Sequence, residues 1–527
     1  MLPVSFLVGL LQAAGGAVYP SPLTGNIQTA LVGDSITAFG NAQQVLASGL
    51  ALASDSSGNI TATVTNQIYG NPEVYPNNIN DATFEVYGRN TYNSASISIA
   101  TARTTVASTT AQTNGAVTMW NRFTGRGIFM NLKSLFQGGL EFAGNYGHGG
   151  QKAQNMGPQM DYALSRNPNL VILMAGINDI NGTGATAATV FGYVQTLIQK
   201  CVTAGVPVVV LAVMPVGTAI SGYATLNGTG ASSIQQLNVL LRNYVATIPT
   251  KAVFADTFTP VFDTTNGCFY TAMTVDGLHP KAIAATLMAP PVYAAMSPWV
   301  TCPVLLPTSA ADTGSVNGHA KFIIQGPWVT TNGGVFATGV TASTGASGTP
   351  GTLNYIPSGG TGGLPPGWEG LRGVGSPTAT CSLFDPGDGK GIKAQIIAQA
   401  AATGDSVEMA PIFNGTLTSL GLNQGDEICI AAEVDWSNGT GSGLGLVSMT
   451  VQSNSSGAYG QATTAETNES AAGGFPDSMT GRILVTGWMK INNASFTSLQ
   501  AFVTAQFGSP GASPAVINMR RFTVYKR

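Results

Sequence analysis

Short apolar runs alternate with longer amphipathic segments between about residues 28 and 298, and this alternation constrains the first half of the chain more than any other feature. Runs of Val, Leu, Ile and Ala without polar alternation indicate strands that are buried on both faces, as in a parallel sheet. The amphipathic segments between them predict helical crossovers, so the pattern indicates an open α/β sheet with helices packed on it. The predicted strands lie at 30–33, 170–175, 206–213 and 252–255, and the predicted helices at 189–204, 233–246 and 281–295.

A different pattern, typical of an antiparallel sandwich, begins after residue 303. Helical periodicity ends, and strand-like runs such as AKFIIQG and GRILVTGWMKI are separated by clusters of Gly, Ser, Thr and Asn. Residues 45–126 also break the α/β rhythm: segments such as ATFEVYG and SASISIA predict a mostly β or irregular insertion over the carboxyl edge of the sheet, or a surface excursion with no role in binding. The predicted domains are an apolar N-terminal arm at 1–27, an α/β domain at 28–300 that contains the insertion, a linker at 301–320 and a β-sandwich at 321–527.

Charged residues are scarce. Only 9% of the 527 residues are charged, with 21 Lys+Arg and 24 Asp+Glu, whereas an average soluble protein has about 25%. Because the chain has no basic footprint, we expect no nucleic-acid partner. A hydrophobic fraction of 44% argues against disorder. The polar but uncharged composition favours an extracellular or virion-associated protein, with a secreted bacterial protein as the alternative.

The five cysteines and three histidines narrow the possible chemistry. The cysteines form no CxxC pair, and their odd number rules out complete intramolecular pairing. Three histidines argue against a His-rich metal site, so we expect neither a metal nor another cofactor. They also leave three candidates for a general base, namely His148, His279 and His319.

The first 20 residues are apolar and are followed by small residues, as in the core of a signal peptide. A signal peptide needs a positively charged start, however, and the first basic residue is Arg89. Two interpretations therefore remain open: a cleavable signal, or an arm that docks on a virion partner or on a second copy of this chain. No later stretch of 18 or more apolar residues occurs, so no membrane span is predicted.

The tripeptide Gly33-Asp34-Ser35 ends the first apolar run and is the first candidate for chemistry. Its position puts the Ser35 hydroxyl at the carboxyl end of a strand, where open α/β sheets bind ligands. Backbone N–H groups after such a turn can stabilise an oxyanion. Because Gly-Asp-Ser is also a common turn sequence, the tripeptide indicates little by itself.

Asp276 and His279 are the second candidate, in the segment Val-Asp-Gly-Leu-His-Pro. A serine nucleophile needs a base, and that base needs a carboxylate to fix its tautomer. An Asp and a His three residues apart, just before a predicted helix, can face one cleft. The alternative is an Asp that caps a turn beside a surface His.

Two further segments offer oxyanion donors. Asn178 follows the apolar run at 170–175, so its amide is expected on the same sheet edge as Ser35; its alternative role is a helix N-cap. The Gly-rich segment from Asn145 to Gly150 precedes a helical pattern at 153–164 and offers backbone N–H groups, or is simply a tight turn. His148 within it is expected to contact substrate or to pack, rather than to act as the base.

In chain order, the blocks Gly-Asp-Ser, Asn-x-Gly-x-x-Gly, Gly-x-Asn-Asp and Asp-x-x-His resemble those of the SGNH (GDSL) hydrolase family, over about residues 28–298. The resemblance implies a three-layer α/β/α sandwich and an ester hydrolase that forms an acyl-Ser35. The resemblance further implies that His279 is the base, that Asp276 holds it, and that Ser35, Gly150 and Asn178 form the oxyanion hole. Asp34 and Asp179 would hold loops in place. The long insertion between Ser35 and Gly150 departs from compact members and leaves the substrate preference open.

The C-terminal half resembles a carbohydrate-binding jelly roll, on the segments GDEICIAAEVDWSNG and INMRRFTVYKR. Aromatic faces stack on sugar rings, which makes Trp436 and Trp488, with His148, candidate substrate contacts; core packing is the alternative. Together the two resemblances imply an O-acetyl esterase acting on an acylated surface or extracellular polysaccharide. The alternative is a phage tail or head fibre that uses the hydrolase fold mainly to bind a host receptor.

Overall fold

The structure is a computed structural model. It describes residues 18–39, 52–53, 61–63, 84–87, 97–99, 105–108, 116–119, 127–147, 150–220, 232–307, 320–322, 368–374, 377–384, 386–388, 390, 393–411, 422–438, 441, 443–455, 458–467, 478–486, 489–490 and 498–526. The described residues divide between two compact units. The first comprises residues 1–38, 140–279 and 286–302, and the second comprises residues 39–139, 280–285 and 303–527.

A five-stranded parallel sheet forms the centre of the first unit, and this confirms the predicted parallel α/β core. Its interior strands are apolar throughout, because both of their faces are covered. The strands are β1 Ile27–Gly33, β2 Leu140–Gly147, β3 Leu170–Met174, β4 Val208–Leu211 and β5 Ala252–Ala255.

The strand order is β5-β4-β3-β1-β2, and every neighbouring pair is parallel. The chain passes from β1 to β2 on one side and then returns to β3 on the other side of β1. The order therefore reverses between β1 and β3, and in open α/β sheets the crevice at such a reversal binds ligands. Ser35 follows β1 and Asn178 follows β3, so both lie at this reversal.

Strand β2 was not predicted from the sequence, which indicated only a Gly-rich loop at 145–150. Its sequence LEFAGNYG lacks the continuous apolar run of the interior strands. Among the described strands β2 pairs only with β1, so it is an edge strand with less need for an all-apolar sequence.

The helices of the α/β part agree closely with the sequence prediction. The helix predicted at 233–246 has those bounds, because the Ser232 side chain caps it by accepting the Gln235 N–H at 3.2 Å. The helix predicted from 189 begins two residues earlier, where Thr186 caps it. The described helices are α1 Ser35–Phe39, α2 Ile128–Leu135, α3 Gly157–Ser165, α4 Ile177–Thr183, α5 Ala187–Ala204, α6 Ser233–Ala246 and α7 Ala282–Met296.

Within the predicted insertion, the described residues are short antiparallel strands. They form two three-stranded sheets. The strands of the first sheet are Leu52–Ala53, Phe84–Tyr87 and Ala116–Met119, and those of the second are Thr61–Thr63, Ile97–Ile99 and Thr105–Ser108. Placement over the carboxyl edge of the parallel sheet stays a prediction.

The C-terminal region contains two antiparallel sheets, as the change of pattern after residue 303 predicts. Their long strands are β6 Trp368–Val374, β7 Thr378–Phe384, β8 Lys393–Gln399, β9 Ser406–Pro411, β10 Glu427–Asn438, β11 Leu444–Ser455, β12 Ala458–Thr467, β13 Ser478–Val485, β14 Ser498–Phe507 and β15 Ala515–Lys526. One sheet has the order β7-β8-β15-β10-β13 and the other β6-β9-β14-β11-β12. The more specific prediction that these two sheets form a jelly roll stays a prediction.

Helix α2 packs on the first of these sheets inside the second unit. Arg482 of β13 donates to the Asn131 side chain at 2.8 Å, and the Ser134 hydroxyl accepts the Ile483 N–H at 2.8 Å. Leu305 and Leu306 are buried in a cluster with residues of the same sheet. The start of the predicted linker at 301–320 is therefore packed against this antiparallel sheet.

Candidate active site

The turn after β1 places Ser35 at the carboxyl edge of the parallel sheet. Gly33 is required there, because a Cβ atom at this position would lie 2.5 Å from the Met174 carbonyl oxygen of β3 and would also meet the Thr37 side chain. Asp34 turns inward, and one of its carboxyl oxygens accepts the Ile36 N–H at 2.9 Å. This turn puts Ser35, only 5% exposed, at the first position of α1.

His279 and Asp276 lie against this serine, as the sequence predicts. The Ser35 Oγ is 3.0 Å from His279 Nε2, and His279 Nδ1 is 2.6 Å from Asp276 Oδ2. Because an ionised carboxylate only accepts hydrogen bonds, Nδ1 carries the proton and Nε2 presents a lone pair to the serine hydroxyl. The three side chains form a continuous hydrogen-bond relay.

Asp276 also caps its own turn, which is the part of the alternative interpretation that the structure shows. Its second oxygen, Oδ1, accepts the backbone N–H groups of Leu278 at 2.9 Å and His279 at 2.8 Å. Burial acts to raise the pKa of Asp276, but the hydrogen bonds from the His279 backbone, the His279 ring and the Leu278 N–H outweigh it and lower that pKa below its usual range. The carboxylate is therefore ionised beside the imidazole at neutral pH.

The loop that carries His279 is held by its neighbours at several points. The Thr274 hydroxyl accepts the Gly277 N–H at 2.9 Å and donates to the His279 carbonyl at 3.0 Å. The Gly217 N–H donates to the Gly277 carbonyl at 2.6 Å, and a Cβ atom at Gly217 would lie 2.9 Å from the Gly277 Cα. This close approach of two glycines fixes the imidazole relative to the sheet.

Asn178 lies on the same edge, in the first turn of α4. The N-cap of that helix is Gly176 at φ 122°, so the N-cap interpretation of Asn178 is wrong. Its side-chain amide donates to the Gln151 carbonyl at 3.0 Å. This bond brings Asn178 beside the residue that follows Gly150, which is exposed with φ 70°. The structure thus brings Asn178 to the segment that follows Gly150.

Two buried carboxyls lie behind the site, and both hold loops as expected. Asp179 accepts the N–H groups of Ala153 at 2.7 Å and Gln154 at 3.3 Å, which ties α4 to the segment after Gly150. Burial raises the pKa of Asp179 against the effect of these bonds. Burial likewise raises the pKa of Asp34 to about 7, opposed by its bond from Ile36 and reinforced by the charge of Asp179.

Gln159 is a residue of this site that sequence reasoning missed. It lies in α3 and is 1% exposed. Its amide nitrogen donates to the Gly33 carbonyl at 2.8 Å and also to the Tyr146 carbonyl. These carbonyls end strands β1 and β2, so one side chain joins the nucleophile turn to the strand that leads to Gly150. A lone Gln in a helical pattern gives no sequence signal for this role.

Of the three residues that were predicted to contact substrate, the structure describes one. Trp436 is 2% exposed in β10, a central strand with neighbours on both sides. Its ring is not accessible for stacking on a sugar, so that prediction is wrong and the core interpretation holds. His148 and Trp488 lie outside the described residues.

The described residues contain no group of three or more His, Cys, Asp or Glu side chains that could hold a metal ion. In the described part of the chain, no helix combines the length and apolar character that a membrane crossing requires.

Comparison with known proteins agrees with the chemistry of this site. Residues 107–285 match the GDSL-like Lipase/Acylhydrolase family. The match contains Gly150, Asn178, Asp276 and His279 and begins after Ser35, whose place in the site rests on the geometry above. No curated protein matches the chain.

Solved structures similar to this chain include three bacterial or fungal proteins. A GDSL-like lipase from Bacteroides thetaiotaomicron is 20% identical, with 32% of this chain and 82% of that chain covered and a TM-score of 0.28. A member of the lipolytic protein G-D-S-L family from Veillonella parvula is 20% identical, with 33% and 88% covered and a TM-score of 0.28. A carbohydrate esterase family 3 structure from Talaromyces cellulolyticus is 18% identical, with 32% and 87% covered and a TM-score of 0.26.

Residues 107–285 of this chain are thus similar to the GDSL-like lipases and acylhydrolases, over about a third of its length.

Proposed function

We propose that this protein is a serine esterase that removes O-acetyl groups from a surface or extracellular polysaccharide through an acyl-Ser35 intermediate. The observation that carries the proposal is the relay from Ser35 through His279 to Asp276, with heavy-atom distances of 3.0 and 2.6 Å at the ligand-binding edge of a parallel sheet. Such a relay is the arrangement that activates a serine for acyl transfer.

In the first step, His279 Nε2 takes the proton of Ser35 as Oγ attacks the ester carbonyl. The negative charge on the carbonyl oxygen is stabilised by the backbone N–H groups of Ser35 and Gly150 and by the Asn178 amide. His279 then gives the proton to the departing sugar oxygen. In the second step a water molecule, deprotonated by His279, attacks the acyl carbon; the Ser35 Oγ–acyl bond breaks, His279 returns the proton to Oγ, and acetate leaves.

The hydrogen bonds of Asn178 suit it to this task. A side-chain amide has two hydrogens. One is bound by the Gln151 carbonyl at 3.0 Å, which fixes the plane of the amide, and the other is left for the oxyanion. Ser35 is at the first position of α1, where backbone N–H groups have no partner within the helix.

A polymeric substrate is supported by the open acid side of the site. The Asp276 side chain is 51% exposed and the preceding Val275 is 46% exposed. A solvent-open rim at these residues is compatible with a polymeric substrate that extends beyond the relay. The antiparallel sheets of the C-terminal region are the proposed second contact with the polysaccharide.

The test compares wild type, Ser35→Ala and Ser297→Ala on an aryl acetate and on O-acetylated polysaccharide. Ser297 is an exposed serine just beyond α7, so its replacement controls for the loss of a hydroxyl elsewhere in the same unit. We expect acetate release by wild type and Ser297→Ala but not by Ser35→Ala, and covalent labelling of Ser35 alone by a fluorophosphonate. Equal residual activity in wild type and Ser35→Ala would reject the esterase; release from the aryl acetate but from no polysaccharide would reject the substrate.

The predicted N-terminal arm at 1–27 is described only from residue 18, and Trp488 lies outside the described residues, so no contact with a virion partner, a second copy or a sugar is seen for them. These contacts stay predictions.

A further inference from the structure

The two buried carboxyls behind the site differ in their hydrogen bonds. Both oxygens of Asp179 accept a backbone N–H group. Only one oxygen of Asp34 does so, since Oδ1 accepts the Ile36 N–H while Oδ2, fully buried, has no partner among the described residues. A buried carboxylate oxygen without a donor costs several kcal/mol of solvation, so ionised Asp34 is poorly accommodated.

The buried side chain of Gln159 also has an acceptor without a donor in the described part of the chain. Gln159 uses its amide nitrogen for the carbonyls of Gly33 and Tyr146, and its own oxygen Oε1 has no partner among the described residues. Gly33 immediately precedes Asp34, so Gln159 contacts the same turn. A proton on Asp34 Oδ2 removes the buried negative charge that this oxygen would otherwise carry without a described donor.

The charges around Asp34 act in the same direction. Asp179 on α4 is the charged group that acts on it, and this negative charge opposes a second one nearby. The positive charge of Lys152 lowers the pKa of Asp179 and so favours its charged form. Gln159 on α3 carries no charge. On the side of the relay, Asp34 adjoins Ser35, whose partner is His279. Burial first, and then Asp179, raise the pKa of Asp34 to about 7.

We propose that Asp34 is protonated in the active protein and acts as a neutral positioning residue for Ser35, so that its ionisation lowers activity on the alkaline side. This inference rests on the proposed esterase function. Protonated Asp34 still accepts the Ile36 N–H and so holds the turn. Ionised Asp34, having released its proton to solvent, places a negative charge next to the Ser35 N–H, where the reaction builds negative charge on the substrate oxygen.

Asp34→Asn and Asp179→Asn form a matched pair of variants with opposite expectations. At Asp34 the amide can keep its oxygen on the Ile36 N–H and place its neutral NH2 group where Oδ2 lies, so it imitates the protonated carboxyl. At Asp179 the NH2 group of asparagine would face a backbone N–H group of Ala153 or Gln154, and two donors cannot form a hydrogen bond with each other. We expect Asp34→Asn to stay within about threefold of wild-type kcat near pH 6, and Asp179→Asn to lose activity and stability at every pH.

The pH profile of kcat/KM separates this role from a merely structural one. We expect wild-type activity to fall about tenfold per pH unit above neutrality, as one deprotonation requires, and the Asp34→Asn profile to stay level through that range. An unchanged alkaline fall in Asp34→Asn, or loss of its activity with the fold intact, would overturn the proposal.

Melting temperature against pH gives a readout that needs no esterase activity. A carboxyl whose folded pKa is raised contributes stability that is full below its unfolded value of 3.8 and is lost as the pH rises through about 7. Asp34→Asn should therefore gain in melting temperature over wild type between pH 5 and pH 8. If the difference in melting temperature between Asp34→Asn and wild type stays constant over this pH range, Asp34 is not protonated, even in an active enzyme. If the difference widens in a protein without esterase activity, only the proposed function is rejected.

Discussion

The Ser35 Oγ and the His279 Nε2 lie 3.0 Å apart although 244 positions separate them in the chain. Strand β1 delivers the serine, and the loop held by Thr274 and Gly217 delivers the imidazole. The carboxylate that orients this imidazole is unusual in its exposure, since half of the Asp276 side chain is open to solvent. Because of this exposure, water can reach the position of the Asp276 side chain, and this affects how much kcat each substitution there should lose.

We expect Asp276→Asn to be more harmful than Asp276→Ala. Asparagine would turn an NH2 group toward His279 Nδ1 and favour the tautomer whose Nε2–H cannot accept the serine proton, which costs about 10⁴-fold in kcat where this has been done in a serine triad. After truncation to alanine, water can reach the exposed position and accept from Nδ1–H. We expect that variant to lose about 10²-fold.

Steady-state kinetics on an aryl acetate measures both variants, with His279→Ala as the reference for loss of the base. If Asp276→Ala were as inactive as His279→Ala while Asp276→Asn retained activity, the assigned tautomer would be incorrect.

Asn178→Ala should lower kcat about 10²–10³-fold with little change in KM, because an oxyanion donor acts mainly in the transition state. The matched control is Asn238→Ala, which removes a buried amide that bonds both the N–H and the carbonyl of Val213. We expect Asn238→Ala to lower the melting temperature and to spare kcat at temperatures where it is folded. Equal kcat losses in the two variants would show that Asn178 is only structural.

The sequence predicts those parts of this fold whose signals are local. The bounds at 233–246 and 252–255 were correct because a capping serine and a continuous apolar run mark them. Strand β2 was missed because an edge strand needs no such run. Gln159 was missed because its two carbonyl partners come together only when β1 and β2 pair.

Trp436 shows how local and tertiary information can disagree. Aromatic content in a β-sandwich suggested a sugar contact, but every residue from 428 to 436 is buried. Strand β10 is a central strand, with β15 and β13 as its neighbours, and this central position was not readable from composition. The relay residues, by contrast, were predictable, since each follows a strand or precedes a helix.

Asp276 should also make the folded state sensitive to acid. A carboxyl whose folded pKa is lowered adds stability that is present above its unfolded value of 3.8 and is lost as the pH falls through the folded value. Wild type should therefore exceed Asp276→Asn in melting temperature at pH 6 and lose that advantage below about pH 4. Because the group is half exposed, 1 M NaCl should reduce the difference. An advantage that persists at pH 2 would contradict this sign.

Glu433 in β10 is expected to contribute to the stability of the C-terminal region without affecting chemistry. Its carboxylate accepts from Arg520 at 2.6 Å and from Arg521 at 3.0 Å, and all three side chains are buried. Glu433→Gln leaves the two guanidinium groups with Asp388 and the Pro307 carbonyl as their other partners. Removing one member of a buried ion network costs about 3–5 kcal/mol.

Urea unfolding followed by tryptophan fluorescence, which Trp436 on the same strand can report, should show a lower midpoint for Glu433→Gln. The control is Asp161→Asn, which removes an exposed ion pair with Lys200 at 2.7 Å and should cost less than about 1 kcal/mol. Because Arg520 and Arg521 both place positive charge beside Glu433, we expect Glu433→Lys to lose more stability than Glu433→Gln. A Glu433→Lys variant as stable as wild type would show that the carboxylate does not hold this network together.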